Sequence, residues 1–431
     1  MEKPELTRSD QKISPSYRNY VLLVLTGVYI FNFIDRQILV ILQESIKADL
    51  GLSDLQLGLL TGFAFAVFYV SLGIPIARYA DKANRKNIIA ISLTIWSAMT
   101  ALSGLAQNFF QLLLARMGVG VGEAGGSPPA HSMISDYFPE EKRATALSVY
   151  SMGIYIGILF GYLFGGWLDE QLGWRNSLLV LGIPGVAYAL FFYLTVKEPP
   201  RGYSEKQKRK TDTEHSMWEV FELLLSRKAF IFLALAAGIN AFVVYGVGNF
   251  LPSFLSRIHE MGKGEIGSWL ALGSGGGGAL GVWLGGYLGD LYGQQKKSLY
   301  MLIPAIAILV SIPLTAIVLF AADKYVVVST NFVLKALWSM YLAPCIAMAH
   351  GMVGLRMRAL SSAVLFLVLN FIGLGLGPPF FGFISDLMTD ELGKEGIRWA
   401  LSLGMGFSLI AALLLYQSSR YLEEDLVRAP E

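Results

Sequence analysis

The sequence contains little charge. Asp, Glu, Lys and Arg make up 15% of its 431 residues and hydrophobic residues 54%, whereas an average soluble domain is about 25% charged. This composition excludes an ordinary soluble domain and indicates a protein embedded in a lipid bilayer. The formal net charge of +2 provides no strongly basic surface, so we expect no nucleic-acid partner.

Cysteine and histidine are scarce. Cys345 is the single cysteine, so no intrachain disulfide can form, and a lone thiol in an apolar segment is typically buried and inert. The four histidines are scattered without the spacing of metal ligands. We therefore expect no metal site and no cofactor.

The common signatures of enzymes are missing as well. The sequence has no P-loop lysine, no HExxH and no GxSxG. Gly120, Gly122 and Gly125 spell GxGxxG, but no strand–helix–strand pattern surrounds them, and small residues at this spacing favour close packing of membrane helices. The protein is not predicted to be an enzyme.

Long apolar runs fill most of the chain. A helix of about 20 apolar residues crosses a bilayer, and we find twelve such runs, at 20–42, 57–77, 88–107, 109–132, 145–167, 176–196, 229–252, 267–289, 299–321, 325–351, 360–384 and 399–418. Residues 1–19 lack the apolar core of a cleavable signal peptide. The predicted fold class is an all-α membrane protein with twelve transmembrane helices.

Basic residues are distributed unevenly among the connections. The two termini and every second loop hold 24 of the 34 Lys and Arg residues, the other loops hold seven, and the apolar runs hold three. Because loops rich in Lys and Arg stay in the cytoplasm, we expect both termini there.

The longest connection divides the chain into two halves. We predict a cytoplasmic N-terminal segment at 1–19, a six-helix bundle at 20–196, a cytoplasmic linker at 197–228, a second six-helix bundle at 229–418 and a cytoplasmic tail at 419–431. The end of the linker has an apolar helical stripe, which favours a helix at the membrane interface; a solvated linker is the alternative.

The two halves repeat each other. ARYADKANRK at 77–86 is echoed by GYLGDLYGQQ at 286–295, and GWLD at 166–169 is echoed by GFISD at 382–386. Internal duplication of a six-helix unit is the layout of a transporter whose halves rock around a site at mid-membrane depth.

Five charged residues lie deep inside apolar runs: Asp35 and Arg36 in the first, Arg116 and Glu123 in the fourth, and Lys335 in the tenth. A charge at mid-bilayer depth costs at least about 2.5 kcal/mol and normally faces a cavity or a partner. Adjacent helical residues point about 100° apart, so Asp35 and Arg36 cannot both face the same partner on the fourth helix. A structural ion pair is the alternative, and Lys335, nearer a helix end, could instead extend to the interface.

This mixture of charges predicts a proton-coupled anion site. Burial favours the neutral form of a carboxyl group and a neighbouring Arg favours the ionised form, so a substrate that recruits the Arg links its binding to protonation. We predict Asp35 and Glu123 as the proton-coupling residues. With both ionised, the five residues carry a net charge of +1, which favours an anion; Arg36, Arg116 and Lys335 are the candidates for binding it.

Both copies of the repeated loop resemble the G-x-x-x-D-[RK]-x-G-[RK]-[RK] signature of the major facilitator superfamily, and the resemblance covers the whole chain. It implies that Asp81, Arg85 and Lys86, together with Asp290 in the second copy, latch helix ends across the cytoplasmic face. A basic loop without a latch is the alternative.

The fifth apolar run carries glycines at four-residue spacing: Gly153, Gly157, Gly161 and Gly165, with Gly166 beside the last. A helix face without side chains lets another helix approach closely, so we predict a packing or hinge surface. The pattern is similar to the fifth-helix glycine motif of the same superfamily, which is often associated with exchangers and exporters.

Two further stretches resemble the Spinster branch, whose members export lysophospholipids or sphingosine-1-phosphate and are in several cases proton-dependent. These are FIDR at 33–36 and RMGVGVGEAGGSPPA at 116–130, the latter followed by SDYFPEEKRA. The resemblance implies a bacterial-type homologue in the inner (plasma) membrane, a monomer that carries an anionic lysolipid-like substrate with the proton as coupling ion.

Two other functions stay open. The organic anion:cation symporter branch has a similar acidic–Arg pair and G-x-G-E-A stretch, so proton symport of a sugar acid or another small organic anion is the first alternative. A twelve-helix receptor or scaffold that binds a ligand without moving it is the second.

Overall fold

The computed structural model describes residues 13–80, 82–204, 217–354 and 357–428. Over these ranges the chain is helical with short connections, and they contain no β-strand. Asp81 and residues 205–216 of the linker lie outside the described residues, as does most of the N-terminal segment.

The N-terminal half folds into six helical spans. They are α1 (Pro15–Leu50), α2 (Asp54–Ala80), α3 (Arg85–Ser103), α4 (Phe109–Glu123 and Ser127–Tyr137), α5 (140–172) and α6 (174–195). Ser53 and Gln56 form a capping box at the start of α2. Gly173 separates α5 from α6 because its φ of +78° lies in the left-handed region that favours glycine.

The C-terminal half has the same layout. Its spans are α7 (Lys228–His259), α8 (263–293), α9 (Leu299–Phe320), α10 (Lys324–Gly351), α11 (358–392) and α12 (Gly396–Val427). Every predicted apolar run overlaps one of the twelve spans, so the predicted fold class is confirmed. Within the described ranges, seven continuous helical stretches are long and apolar enough to cross a membrane, and two of them, Glu140–Thr195 and Leu360–Val427, each hold two successive spans.

The duplication seen in the sequence is also visible in the backbone. α2 and α8 occupy equivalent places in their halves, and each contains a π-helical stretch, at Leu59–Phe63 and Ala271–Gly277. A third stretch, Leu369–Leu376, lies in α11. Such stretches are rare and frequently mark functional sites, and here they lie in the helices that line the boundary between the halves.

In each half, the first helix begins and the last helix ends at the same face of the molecule, which we call the terminal face. Tyr17 Oη donates to the backbone oxygen of Thr195 at 3.0 Å, and the backbone N–H of Ala229 donates to Asp425 Oδ2 at 2.7 Å. The opposite face, where α1 ends and α2 begins, is called the far face.

The linker ends in a short helix, Met217–Leu225, next to the C-terminal half. Val220 and Leu224 are fully buried in the same apolar cluster as Leu233 of α7 and Leu365 of α11. Leu225 is half-exposed on its other side. The helix is therefore anchored to the C-terminal half by its apolar stripe.

The glycines of α5 face two different neighbours. A Cβ at Gly153, Gly157, Gly161 or Gly165 would crowd α1, in the same half, whereas one at Gly166 would crowd Gly267 of α8, in the other half. The missing side chains therefore allow close packing both within the N-terminal half and between the halves.

Candidate functional site

α1 and α4 bring four of the predicted charges together. Arg36 Nε donates to Glu123 Oε2 at 2.6 Å, and Glu123 is fully buried. Arg116, 2% exposed, donates through Nη1 to the backbone oxygen of Asp35 at 3.4 Å. Gly122 allows this arrangement, because a Cβ there would overlap Trp96 and keep α4 away from α3.

Aromatic rings surround the Arg36 guanidinium. Its central carbon lies 4.9 Å from the ring centroid of Phe33, 4.7 Å from that of Phe65 and 4.9 Å from that of Tyr69. Contacts of a cation with ring faces are worth about 2 kcal/mol or more when they are desolvated. Since 16% of the Arg36 side chain is exposed and none of Glu123, Arg36 is the member of this pair that an incoming anion can reach.

Asp35 has a different environment from Glu123. Both of its carboxylate oxygens are buried, and neither accepts a well-formed hydrogen bond from a described residue, although the hydroxyl of Thr100 is a nearby donor. An ionised carboxylate in that position would be costly unless it were compensated. Arg116 and Glu123 are the charged groups near enough to act on it.

Lys335 lies apart from these four residues, in α10 of the other half. The side chain is 8% exposed, and its Nζ lies 5.0 Å from the ring centroid of Trp338. The α-helical part of α10 that holds Lys335 runs from Lys324 to Ser339, and the span continues to Gly351, so Lys335 is about 16 Å along the span. At that depth the side chain cannot extend to the interface.

α7 runs between the two groups of charges. Tyr245 lies near Arg36, whereas a Cβ at Gly248 would lie 2.8 Å from Lys335 Nζ. Gln43 Nε2 of α1 donates to the backbone oxygen of Asn249 at 2.6 Å, so this part of α7 is also held to α1. The predicted charges thus border the boundary between the halves at mid-depth.

An ion-pair network joins the halves at the far face. Arg257 of α7 forms paired hydrogen bonds with Glu44 at 2.6 and 3.0 Å and with Asp54 at 2.6 and 2.7 Å. Asp386 of α11 accepts from the backbone N–H groups of Asp54 and Leu55, both at 2.8 Å. This network closes the far face between α1, α2, α7 and α11.

The sequence analysis missed most of this network. Arg257, Glu44 and Asp54 lie at the ends of apolar runs and were counted as loop residues. The available signal was the repeated motif that contains Asp169 and Asp386. Asp169 of α5 forms the matching contact on the other side of the far face, an ion pair of 3.1 Å with Lys263 of α8.

The predicted latch residues that the structure describes, Arg85, Lys86 and Asp290, lie at the terminal face, and their contacts stay within one half. Arg85 is 1% exposed and forms ion pairs with Asp136 at 2.5 Å and Glu198 at 2.7 Å. The backbone N–H of Lys86 donates to Glu198 Oε2 at 2.8 Å. Asp290 accepts from the hydroxyl of Tyr300 at 3.0 Å, within the C-terminal half. In this conformation the contacts of these residues do not cross between the halves.

Comparison with known proteins identifies the family. The sequence model of the Major Facilitator Superfamily matches residues 25–378, and the chain belongs to this superfamily of transporters. It is therefore a multi-pass integral membrane protein, and its relatives are transporters and not enzymes.

Individual relatives indicate which transporters of the superfamily this chain resembles. An MFS-type efflux pump from Mycolicibacterium smegmatis is 32% identical over 408 residues, which cover 94% of this chain and 93% of the pump. The crystal structure of a bacterial homologue of the human lysosomal transporter Spinster, in an inward-facing and unoccupied conformation, matches 96% of this chain and 99% of its own, with a TM-score of 0.88 and 34% identity. The resemblance to Spinster is thus confirmed.

A probable galactarate/D-glucarate transporter from Bacillus subtilis is 30% identical over 309 residues, 66% of this chain and 67% of that protein. The chain is thus related to Spinster-type transporters and also to transporters of organic acids.

Proposed function

We propose that the protein is a proton-coupled secondary transporter that moves an anionic amphipathic lipid, such as a lysophospholipid or sphingosine-1-phosphate, by alternating access. The arrangement of the two buried carboxyl groups carries this proposal: Glu123 is paired with Arg36, while Asp35 is buried and accepts no well-formed hydrogen bond from a described residue. Two acids at one site, only one of them compensated through hydrogen bonds, are suited to exchanging a proton.

The coupling follows from competition for Arg36. An anion that draws Arg36 away would leave Glu123 buried and unpaired, which is costly until a proton neutralises it. Arg116 lies near both acids and can exchange partners in the same step. Because linkage is reciprocal, lowering the pH strengthens substrate binding by the same factor by which substrate promotes proton uptake.

The closed far face supports alternating access. Arg257, Gln43 and Asp386 hold the halves together there, whereas the ion pairs of Arg85 at the terminal face stay inside one half. Together with the inward-facing structure of the Spinster homologue, this supports an inward-facing conformation. The excess of Lys and Arg supports a cytoplasmic terminal face, in a bacterial inner membrane.

The substrate class rests on charge and relatedness. The five intramembrane charges sum to +1 when both acids are ionised, which favours an anion, and the Spinster relationship favours an amphipathic lipid. The alternative is proton symport of a small organic anion, favoured by the relationship to the galactarate/D-glucarate transporter.

A flux assay in proteoliposomes tests the function. Lysophospholipid, sphingosine-1-phosphate and D-glucarate are compared with and without a pH gradient. We expect gradient-driven flux of the lipids. Flux of D-glucarate alone would favour the symporter, and binding without flux of any compound would favour a receptor or scaffold.

Neutral variants test the coupling residues. Glu123→Gln and Asp35→Asn should lose gradient-driven flux almost completely, with counterflow exchange retained in at least one of them. Asp49→Asn is the matched control, because Asp49 lies on the same helix as Asp35 but its side chain is 44% exposed, in an ion pair with Arg175. Full gradient-driven flux in both neutral variants would show that neither residue carries the proton.

A further inference from the structure

The cations of the two halves differ in whether a carboxylate compensates them. In the N-terminal half, Arg36 is bound to Glu123 at 2.6 Å, and Arg116 lies near enough to both Asp35 and Glu123 for their charges to interact. In the C-terminal half, no charged group of the described ranges acts on Lys335, and no described residue accepts a hydrogen bond from its ammonium group. A buried cation normally has an anionic partner. The described residues supply none for Lys335, so we expect a ligand to supply it.

A second unsatisfied group lies one helical turn away. Asn331 precedes Lys335 by four residues, so both side chains lie on the same face of α10. Asn331 is 2% exposed, and neither its amide oxygen nor its amide nitrogen has a hydrogen-bond partner in the described part of the chain. Leaving such a group unsatisfied costs about 1–3 kcal/mol, and two neighbouring unsatisfied polar groups indicate a binding site.

Glycines border this face of α10. A Cβ at Gly248 of α7 would lie 2.8 Å from Lys335 Nζ, and one at Gly273 of α8 would lie 2.8 Å from Asn331 Nδ2. Any other residue at these two positions would therefore push against the polar groups. Trp338 borders the ammonium group on its own helix and is itself held by a hydrogen bond from its Nε1 to Ser311 Oγ at 3.0 Å.

We propose that Lys335 and Asn331 form the subsite that receives the oxyanion of the substrate, a phosphate or a carboxylate, in the conformation described here. The proposal rests on the proposed transport function and assigns the first binding step to the C-terminal half. Lys335 supplies the charge and Asn331 a neutral N–H donor. Arg36 is engaged only afterwards, when the bound anion draws it from Glu123, so binding and proton coupling begin in different halves.

Equilibrium binding to the purified full-length protein tests this subsite. The probes are lysophosphatidate, the uncharged monoacylglycerol with the same acyl chain, and D-glucarate. Lys335→Met should weaken lysophosphatidate binding at least about tenfold, the loss expected for one hydrogen bond to a charged group, and Asn331→Leu should weaken it about threefold. Binding of monoacylglycerol should stay unchanged in both variants, which checks that they fold.

Two further variants complete the design. Lys324→Met is the matched control, because Lys324 lies on the same helix but is 34% exposed and paired with Glu265 at 2.7 Å, and it should bind lysophosphatidate like the wild type. The double variant Arg36→Met, Glu123→Gln should retain measurable lysophosphatidate binding but lose the pH dependence of that binding.

The outcomes separate this inference from the proposed function. If the double variant loses lysophosphatidate binding while Lys335→Met keeps it, the N-terminal half receives the anion and the subsite is wrong, although lipid transport stands. If the wild type binds D-glucarate alone and Lys335→Met abolishes that binding, the subsite stands and the lipid substrate is wrong. If Lys335→Met weakens monoacylglycerol as much as lysophosphatidate, the residue is structural and the subsite is overturned.

Discussion

Two arginines, Arg85 and Arg257, each bind two carboxylates, but they do so at opposite faces of the molecule and join different parts of it. Arg85, at the terminal face, binds Asp136 and Glu198 of its own half. Arg257, at the far face, reaches from the C-terminal half to Glu44 and Asp54 of the N-terminal half. The same ion-pair chemistry therefore stabilises one half in the first case and one conformation of the whole molecule in the second.

Under the proposed alternating access, the comparison of the two arginines indicates which contacts change during transport. Opening the far face requires the contacts of Arg257 to break, because its partners belong to the other half. The contacts of Arg85 can persist through the whole cycle. Variants of the two arginines should therefore have different effects. Substituting Arg85 should change the stability of the protein, and substituting Arg257 should change the population of its conformations.

The largest expected effect is that of Arg85→Ala on stability. Arg85 is 1% exposed, and removing one partner of a buried ion pair costs about 3–5 kcal/mol. We expect the free energy of unfolding in mixed micelles to fall by about that amount. Arg85→Lys should lose less, since it keeps the charge but not the paired geometry.

Arg78→Ala, an exposed position at the end of α2, is the control and should leave stability unchanged. If Arg85→Ala had the unfolding free energy of the wild type but opened the far face, the two arginines would not differ in the way proposed here.

The next largest effect is that of Arg257→Ala on conformation. Losing hydrogen bonds between charged groups should increase the population with an open far face by about tenfold to a hundredfold. Ser253 reports this opening, because it is fully buried and accepts a hydrogen bond from Gln43 at 2.7 Å. In a Ser253→Cys, Cys345→Ala background, labelling by a membrane-impermeant maleimide added from outside should accelerate by the same factor.

Arg398→Ala is the matched control for that experiment, because Arg398 pairs with Glu395 of its own half near the same face. It should label at the unchanged rate. Equal labelling of the Arg257 and Arg398 variants would mean that Arg257 does not hold the far face closed. Labelling only from the terminal side would overturn the proposed orientation.

Much of the fold could be predicted from the sequence, because the bilayer imposes a length on each apolar run. The site was predicted less completely. Helical geometry shows that Asp35 and Arg36 cannot share a partner, but the choice between them depends on how α1 is rotated against α4. In the structure Glu123 pairs with Arg36, and the carboxylate of Asp35 has no ion-pair partner among the described residues.

The far-face network could not be predicted for a different reason. Arg257 and its partners are separated by about 200 residues, and they meet where the two halves pack against each other. Which distant charges pair therefore depends on how the halves are arranged, and the spacing of residues along the chain does not show that arrangement. Lys335 illustrates the same limit, since nothing in its neighbourhood along the chain reveals that no carboxylate of the described residues lies close to it.

The smallest expected effects are those of alanine substitutions at α5 glycines. They test, through helix packing instead of charge, whether contacts within one half and contacts between the halves have different effects. A Cβ at Gly157 would lie 2.6 Å from the backbone oxygen of Ile30 in α1, whereas one at Gly166 would lie 2.5 Å from the backbone oxygen of Lys263 in α8. Each added methyl group overpacks its contact and costs about 1 kcal/mol. Gly157→Ala should lower the free energy of unfolding by that amount and leave maleimide labelling at position 253 unchanged, because its contact lies within one half. Gly166→Ala should accelerate labelling several-fold, with a smaller loss of unfolding free energy. Gly406→Ala is the control, because its Cβ would meet no atom within 4 Å, and it should change neither the labelling rate nor the stability. If Gly157→Ala and Gly166→Ala behaved alike in both the labelling and the unfolding assay, contacts within and between the halves would not be energetically distinct.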